Sequence, residues 1–285
     1  MNDYLLALLF GTVEGMTEFI PVSSTAHLRI AKALPFCHIP LNDSYWKMFD
    51  VVIQLGAILC LPIYFRKRIA EFLRTFPNNS HTGKRDTLNH PVTLVLIAFF
   101  VTAGPAFLLT KLISHNLESF GVIGYSLLIG GVIMWAVDTQ CSNPHITDMN
   151  QMNWLQAAWI GAVQILSAVF PGTSRSMSTI AAGQTAGLSR FAALEFSFFV
   201  SIPTMLAATG YDLLKTLIGG HNEAALPPLA MTLHQWITLA IGFVVSFFVA
   251  GAVVAWFMTW VRKRGFVPFA IYRILLGLFI LSYLR

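Results

Sequence analysis

Residues 13–27 read Val-Glu-Gly-Met-Thr-Glu-Phe-Ile-Pro-Val-Ser-Ser-Thr-Ala-His, which sets two carboxylates, three consecutive hydroxyls and an imidazole inside an apolar run. Glu14 and Glu18 are four apart and share one face of a helix. A carboxylate at membrane depth costs about 2.5–3.5 kcal/mol on insertion scales, so it is rarely idle there. The pair is suited to holding a hard divalent cation or to handling protons; the bland alternative is an ion pair within a helix bundle. Ser24 and His27 are three apart and form a candidate nucleophile and base. Otherwise Ser24 is a helix cap and His27 an interfacial side chain. Ser23 and Thr25 flank the candidate nucleophile and can donate to substrate oxygens.

A second segment complements the first. Residues 171–179 read Pro-Gly-Thr-Ser-Arg-Ser-Met-Ser-Thr, a glycine-containing turn opening a helix. Free N–H groups at a helix start suit a phosphate, and Arg175 adds a planar fork for its oxygens. The candidate substrate-binding set is therefore Gly172, Thr173, Ser174 and Arg175, with Glu195 as a group that orients Arg175. The alternative is a serine-rich cap with Arg175 paired to Glu14 or Glu18. Asp50 and Gln54, four apart, are read as supporting polar groups or as interhelical hydrogen-bond partners.

The elements that must position these residues are apolar. Of 285 residues 56% are hydrophobic and 11% charged, against roughly 25% charged in a soluble domain, and the mean hydropathy is +0.67. Charge-free runs fill residues 92–110, 119–137, 155–174, 196–211 and 236–261, several near the ~20 residues that cross a bilayer as helix. No Lys or Arg precedes the first apolar stretch, which argues against a cleaved signal peptide. Cys37, Cys60 and Cys141 have no metal-ligand spacing and form no disulfide framework. The net charge of +5 reflects basic cytoplasmic loops rather than nucleic-acid binding. Histidines 38, 81, 90, 115, 145, 221 and 234 fall in loops or near span ends and carry no assigned role.

Displaced by 150 residues, the chain matches itself. Gly11, Val13, Pro21 and Ser24 fall on Gly161, Val163, Pro171 and Ser174, and Glu14 falls on Gln164. Tyr125 and Gly130 match Tyr272 and Gly277 at an offset of 147. The expectation is one membrane domain over 1–285, built from halves 1–138 and 155–285 with a hydrophilic seam at 139–153. Each half opens on a Pro/Gly-interrupted apolar segment (4–34, 155–190), read as a re-entrant helix pair. Three spans follow in each: 48–65, 92–112 and 119–137, then 192–213, 236–260 and 266–284. The fold class is an all-α polytopic membrane protein, an inverted repeat of six transmembrane helices plus two re-entrant pairs whose tips meet.

At these motifs the chain resembles the bacterial undecaprenyl-pyrophosphate phosphatases, the BacA-type bacitracin-resistance proteins. The resemblance rests on EGMTEFIPVSSTAH at 14–27, FDVVIQLGAI at 49–58, PGTSRSMST at 171–179, SRFAALEFSFFVSIP at 189–203 and FVPFAIYR at 266–273, and it spans essentially the whole chain. Ala26 stands where many relatives have Gly. The resemblance implies hydrolysis of undecaprenyl pyrophosphate to the monophosphate carrier of cell-wall synthesis. It implies the inverted repeat, the acidic motif at Glu14 and Glu18, and a serine and histidine at Ser24 and His27. It places phosphate binding at Ser174 and Arg175 and a later acidic position at Glu195. A divalent cation, Mg²⁺ or Ca²⁺, is implied in the same way, with Glu14 and Glu18 as its ligands. The type-2 phosphatidic-acid phosphatases are a poorer match, because their Ser-Gly-His element is absent.

Two functions fit this reading. One is an integral-membrane phosphatase acting on a polyprenyl pyrophosphate. The other is a transporter or flippase of polyprenyl phosphates, because inverted repeats with broken helices are also a transporter architecture. The expected partners are that lipid substrate, membrane lipid and, as a homodimer, a second copy of the chain.

The basic residues 66–68, 74, 84 and 85 and those at 262–264 fall in two loops on one side in this threading. That side is expected to be cytoplasmic in the bacterial inner membrane, with the first hairpin opening outward to the periplasmic face. With native cysteines removed, a cysteine at Asn79 should resist a membrane-impermeant maleimide in intact cells and one at Asn222 should react; the reverse pattern would invert the orientation.

Overall fold

The computed structural model describes residues 2–35, 37, 39, 43–77, 86–113, 119–218 and 231–284. Lys84, Arg85, Asn79, Asn222 and the histidines at 38, 81, 115 and 221 lie outside the described residues. Eleven α-helices occur among the described residues: α1 (Asp3–Thr17), α2 (Ser24–Ala33), α3 (Ser44–Tyr64), α4 (Arg66–Thr75), α5 (Pro91–Ile113), α6 (Phe120–Gln140), α7 (Trp154–Val169), α8 (Arg175–Thr185), α9 (Arg190–Ile218), α10 (Leu233–Arg264) and α11 (Val267–Tyr283). A 3-10 turn covers Met149–Gln151, and the extended pairing described is one isolated bridge between Ile146 and Leu188.

Five helices, α3, α5, α6, α9 and α10, are long and apolar enough to cross a membrane. The chain is thus helical and multi-pass. Of the six expected spans, α11 has 17 residues, at the lower edge of the length needed. Large apolar side chains such as Phe100, Phe248 and Leu275 are exposed, as a lipid-facing surface requires.

Two compact units emerge. The first comprises Met1–Phe19, Ser24–Tyr64 and Ser201–Val254. Its core gathers Phe10, Trp46, Phe49 and Ile53. Helices α1 and α10 approach closely: a Cβ on Gly11 would lie 2.7 Å from the Gly242 carbonyl oxygen, and one on Gly15 2.8 Å from that of Ser246. Small residues permit such contact where lipid supplies no hydrophobic drive between helices. Ser246 Oγ donates to the Ile53 carbonyl at 2.6 Å, which ties α10 to α3.

The second unit comprises Ile20–Ser23, Phe65–Val200 and Ala255–Arg285. Here α5 crosses α7 and α6 crosses α11, again on glycine. A Cβ on Gly161 would fall 2.5 Å from the Ala98 carbonyl oxygen, and one on Gly277 2.8 Å from that of Gly124. Thr102 Oγ1 donates to both the Ala98 and Gly161 carbonyls, at 2.8 and 2.7 Å. Buried Asp138 takes Arg190 Nε at 2.6 Å and the Phe266 N–H at 3.0 Å, which fastens α6, α9 and the start of α11.

One expectation needs correction. The basic stretch after the first span is not only loop: residues 66–75 form α4, and Arg68 reaches Asp148 Oδ2 at 2.7 Å. The stretch 139–153 packs within the second unit. Met149, Asn150 and Met152 are buried, Asp148 and Asn153 each close a capping box, and the Gly187 carbonyl accepts from the His145 and Ile146 amides. Its polarity reflects caps and ion pairing.

Both interrupted segments break as expected. α1 ends at Thr17 and α2 begins at Ser24; α7 ends at Val169 and α8 begins at Arg175. The residue just before each second helix is a serine in the left-handed region, Ser23 at φ 73° and Ser174 at φ 69°. For a residue with a Cβ this conformation costs on the order of 1–3 kcal/mol and persists only where surroundings impose it.

Because Gly161 sits directly on the Ala98 carbonyl, Gly161→Val should force α5 and α7 apart. We expect a destabilisation of about 1–3 kcal/mol, typical of overpacking, read as a lowered apparent melting temperature in detergent. Gly104→Ala on the same helix α5, where a Cβ meets nothing within 4 Å, should leave that temperature unchanged.

Candidate functional site

The sequence-predicted residues divide between the units. Glu14, Glu18, Ser24, Thr25 and His27 belong to the first, whereas Ser23, Gly172, Thr173, Ser174, Arg175 and Glu195 belong to the second.

In the first unit, Glu14 lies in the body of α1 and Glu18 at its C-cap. Both are buried, Glu14 to 1% exposure and Glu18 to 8%. Glu14 lies within interaction range of Glu18, Asp50 and Lys32. Its Oε2 atom is buried without a hydrogen-bond partner among the described residues. Ser24 opens α2, and its hydroxyl donates to Glu18 Oε2 at 2.5 Å. The base in contact with Ser24 is therefore a glutamate six residues away, reached because the break after Thr17 turns the chain back. His27 is half-buried on α2 and Thr25 is exposed.

One residue here escaped the sequence reading of the site. Lys32 Nζ pairs with Asp50 Oδ2 at 2.5 Å and lies 5.9 Å from the Phe10 ring centre. Lys32 is itself buried, so it stands in the interior beside the carboxyl groups of Asp50 and Glu14. Asp50 was foreseen as a supporting polar group. Lys32 was not, because the pairing spans 18 residues and has no sequence period.

In the second unit, the turn Ile20–Ser23 and the turn before α8 come together. Ser176 Oγ donates to the Ile20 carbonyl at 3.1 Å. Ser174 caps α8 by accepting the Met177 N–H at 3.4 Å, and its hydroxyl lies 3.1 Å from that of Ser176. Arg175 Nη1 donates to the Ser197 carbonyl at 3.4 Å, and Thr179 Oγ1 meets Ser197 Oγ at 2.6 Å. Gly172, at φ 92°, packs so close to α6 that a Cβ would sit 2.8 Å from the Ile123 carbonyl oxygen. A non-glycine residue there would be strained twice over. The result is a helix start with hydroxyls and a guanidinium around it, a competent oxyanion site.

Glu195 is placed beside Arg68, with its Oε1 3.5 Å from Arg68 Nε. Arg68 thus gathers Glu71, Asp148 and Glu195. Burial works against the Arg68 charge, but Glu195 and Asp148 outweigh it and raise its pKa. At Asp148 burial pushes the carboxyl up; the Asn150 N–H and the Arg68 guanidinium overcome this and hold it below the usual carboxylate value.

Arg273 was also missed. It is fully buried, the largest side chain so enclosed, and its guanidinium donates to backbone carbonyls of both turns. The signal was present: one charge in an otherwise uncharged apolar helix, the same cost argument that marks Glu14.

Among the described residues, no group of three or more His, Cys, Asp or Glu side chains is arranged to hold a metal ion alone. Glu14, whose Oε2 is buried and unsatisfied, and Glu18 are oxygen donors of the kind a hard cation takes.

Broken apolar helices, buried carboxylates on one and a hydroxyl-rich cationic turn on the other define a multi-pass membrane protein built to handle a charged group. The family described as Bacitracin resistance protein BacA matches residues 7–279, and the chain belongs to it. It is 63% identical to the undecaprenyl-diphosphatase of Koribacter versatilis (strain Ellin345), with 99% of each chain covered. It is 38% identical to that of Rhizobium etli (strain CIAT 652), over 98% of this chain and 97% of the relative. It is 37% identical to that of Caldanaerobacter subterraneus subsp. tengcongensis, over 99% and 96%.

The lowered pKa of Asp148 fixes a pH dependence. Its ion pair contributes fully above the unfolded value near 3.8 and is lost as pH falls through the lower folded value. Asp148→Asn should therefore lower the apparent melting temperature at pH 7, and its deficit against wild type should shrink below about pH 4. A pH-independent deficit would show that packing, not charge, is what Asp148 contributes.

Proposed function

We propose that this chain is an integral-membrane undecaprenyl-diphosphatase that removes the terminal phosphate from undecaprenyl pyrophosphate and so recycles the lipid carrier of cell-wall synthesis. The printed names of its full-length relatives support the reaction class. The observation that carries it on this chain is Ser24 Oγ donating to Glu18 Oε2 at 2.5 Å. A carrier that only moved a polyprenyl phosphate would need complementary charge, but no hydroxyl held on a buried base.

In this reading Arg175, with the N–H groups and hydroxyls of residues 172–174 and of Ser23 and Thr25, grips the pyrophosphate. Ser24 Oγ attacks the terminal phosphorus, and its proton passes to Glu18. The new bond is Oγ–P; the bond broken is from that phosphorus to the bridging oxygen, which leaves as undecaprenyl phosphate. Water then attacks the phosphoserine, the P–Oγ bond breaks and inorganic phosphate departs. His27 would assist proton transfer in the second step. A Mg²⁺ or Ca²⁺ ion at Glu14 and Glu18 would neutralise charge building on the phosphoryl oxygens.

The same proposal includes topology. The two broken helix pairs are read as re-entrant hairpins of an inverted repeat, supported by the matching left-handed serines at 23 and 174. The protein lies in the bacterial inner membrane with the first hairpin open to the outer face, a reading supported by the charge of the basic clusters at Arg66–Arg68 and Arg262–Arg264, which the positive-inside rule assigns to the cytoplasm.

Purified wild-type protein should release phosphate from a polyprenyl pyrophosphate, and Ser24→Ala should lose at least about a hundredfold in turnover while still binding substrate, as expected for a lost nucleophile. No release by wild type would overturn the reaction. Near-wild-type turnover in Ser24→Ala would leave the reaction but replace the covalent route by direct attack of water, with Ser24 only a ligand.

A further inference from the structure

We infer that Arg273, on α11, is the positioning residue that sets the two serine-bearing turns in mutual register. This rests on the phosphatase reading for its consequence in catalysis, but its geometry stands alone. Arg273 Nη1 donates to the Pro21 carbonyl at 3.1 Å. Nη2 donates to the Gly172 carbonyl at 3.1 Å, the Thr173 carbonyl at 2.9 Å and the Ser126 carbonyl on α6 at 3.3 Å. One rigid fork therefore spans the first turn, the second turn and the adjacent helix.

Arg273 has no carboxylate partner among the described residues, although it is fully buried. A guanidinium in such a place is ordinarily paired with an acid. Here the compensating charge is the set of carbonyl dipoles that the two helix breaks release. Those carbonyls in turn need donors, because non-helical backbone at membrane depth must be satisfied by protein or water. The breaks leave acceptors, and the guanidinium, an all-donor group, fills them through Nη1 and Nη2, while its Nε stays buried without a partner among the described residues.

The consequence reaches the chemistry through the chain. Pro21 lies two residues before Ser23 and three before Ser24; Thr173 directly precedes Ser174 and Arg175. Both serines that take the left-handed conformation follow within two residues of a carbonyl fixed by Arg273. A lysine would retain the charge but supply a single point of attachment, too small to span both turns.

The space around the fork offers an independent handle. Gly130 on α6 lies against the guanidinium: a Cβ there would fall 2.5 Å from Nη2 and 2.7 Å from Met177 Cε. Gly130→Ala leaves Arg273 in place but pushes its Nη2 off the second turn.

The test combines two readouts on detergent-solubilised full-length protein: hydrogen exchange by mass spectrometry, and steady-state phosphate release. Arg273→Lys should raise amide exchange in peptides covering residues 19–25 and 170–177 together, with α10 unchanged. It should also lower kcat by at least about tenfold while KM stays within about threefold, the pattern of misplaced reacting groups rather than lost binding. Gly130→Ala should shift the same two peptides, and the double variant should fall short of the sum of the single effects. Unchanged exchange at both turns in either folded variant would overturn the inference. So would a general loosening of α6 and α11 that leaves the turns no worse than the rest, since Arg273 would then be only a packing residue. Should Arg273→Lys fail to fold, Gly130→Ala decides alone. Should wild type release no phosphate, the phosphatase reading fails while the exchange result still decides the role of Arg273.

Discussion

A helix interrupted inside an apolar layer exposes backbone carbonyls and amides that lipid cannot satisfy. Among the described residues, the helices break at 18–23 and at 170–174, and buried polar groups answer to both breaks. The amide side is met by caps: Ser174 accepts from Met177 and thereby starts α8. The carbonyl side is met by Arg273 and by Ser176, which donates to Ile20. Without the breaks neither a free helix start near Arg175 nor a chain reversal that returns Ser24 to Glu18 would exist. The features that threaten stability are the same ones that create reactive geometry.

Glycine supplies the second constraint. At Gly11, Gly15, Gly161 and Gly277 neighbouring backbones come so near that a methyl group would meet a carbonyl oxygen at 2.5–2.8 Å. Close crossings let short polar groups reach across: Thr102 bonds to the Gly161 carbonyl, and Ser246 to that of Ile53. Such packing keeps the helices on either side of each break from sliding, and a rigid frame is what an active site must have if its groups are to stay within a fraction of an ångström of their places.

How far the sequence discloses this depends on the range of each interaction. Helix breaks, spans and glycine-rich faces are local or periodic, and Pro21, Pro171-Gly172 and the charge-free runs mark them within a few residues. Glu14 was conspicuous because a carboxylate in an apolar run has a calculable cost. The partners were not legible. Ser24 and His27 share α2 as their spacing implies, and the break also lets the Ser24 hydroxyl reach back to Glu18, a distance in sequence that no helical period marks. Lys32 and Asp50 are joined only by tertiary folding. The stretch 66–75 reads as a basic loop by charge, yet it is helical, with Arg68 drawn to acids from the seam and α9. Charge announces that a residue is unusual for its surroundings; it does not announce which distant element supplies the answer.

The two broken pairs also diverge instructively. Gln164 occupies the place in α7 that Glu14 has in α1, and both are 1% exposed. The shapes are similar, but one carries a carboxyl and the other a neutral amide. Near the second break the charge is instead Arg175, at the start of α8. The two broken pairs thus carry opposite complements, carboxyls with hydroxyls in one and a guanidinium with hydroxyls in the other. A pyrophosphate ester demands both kinds of group: donors for its oxygens, and a base or cation where its charge changes. Arg273, by bonding to carbonyls of both breaks, ties the turn that ends at Ser23 to the turn that leads into Arg175.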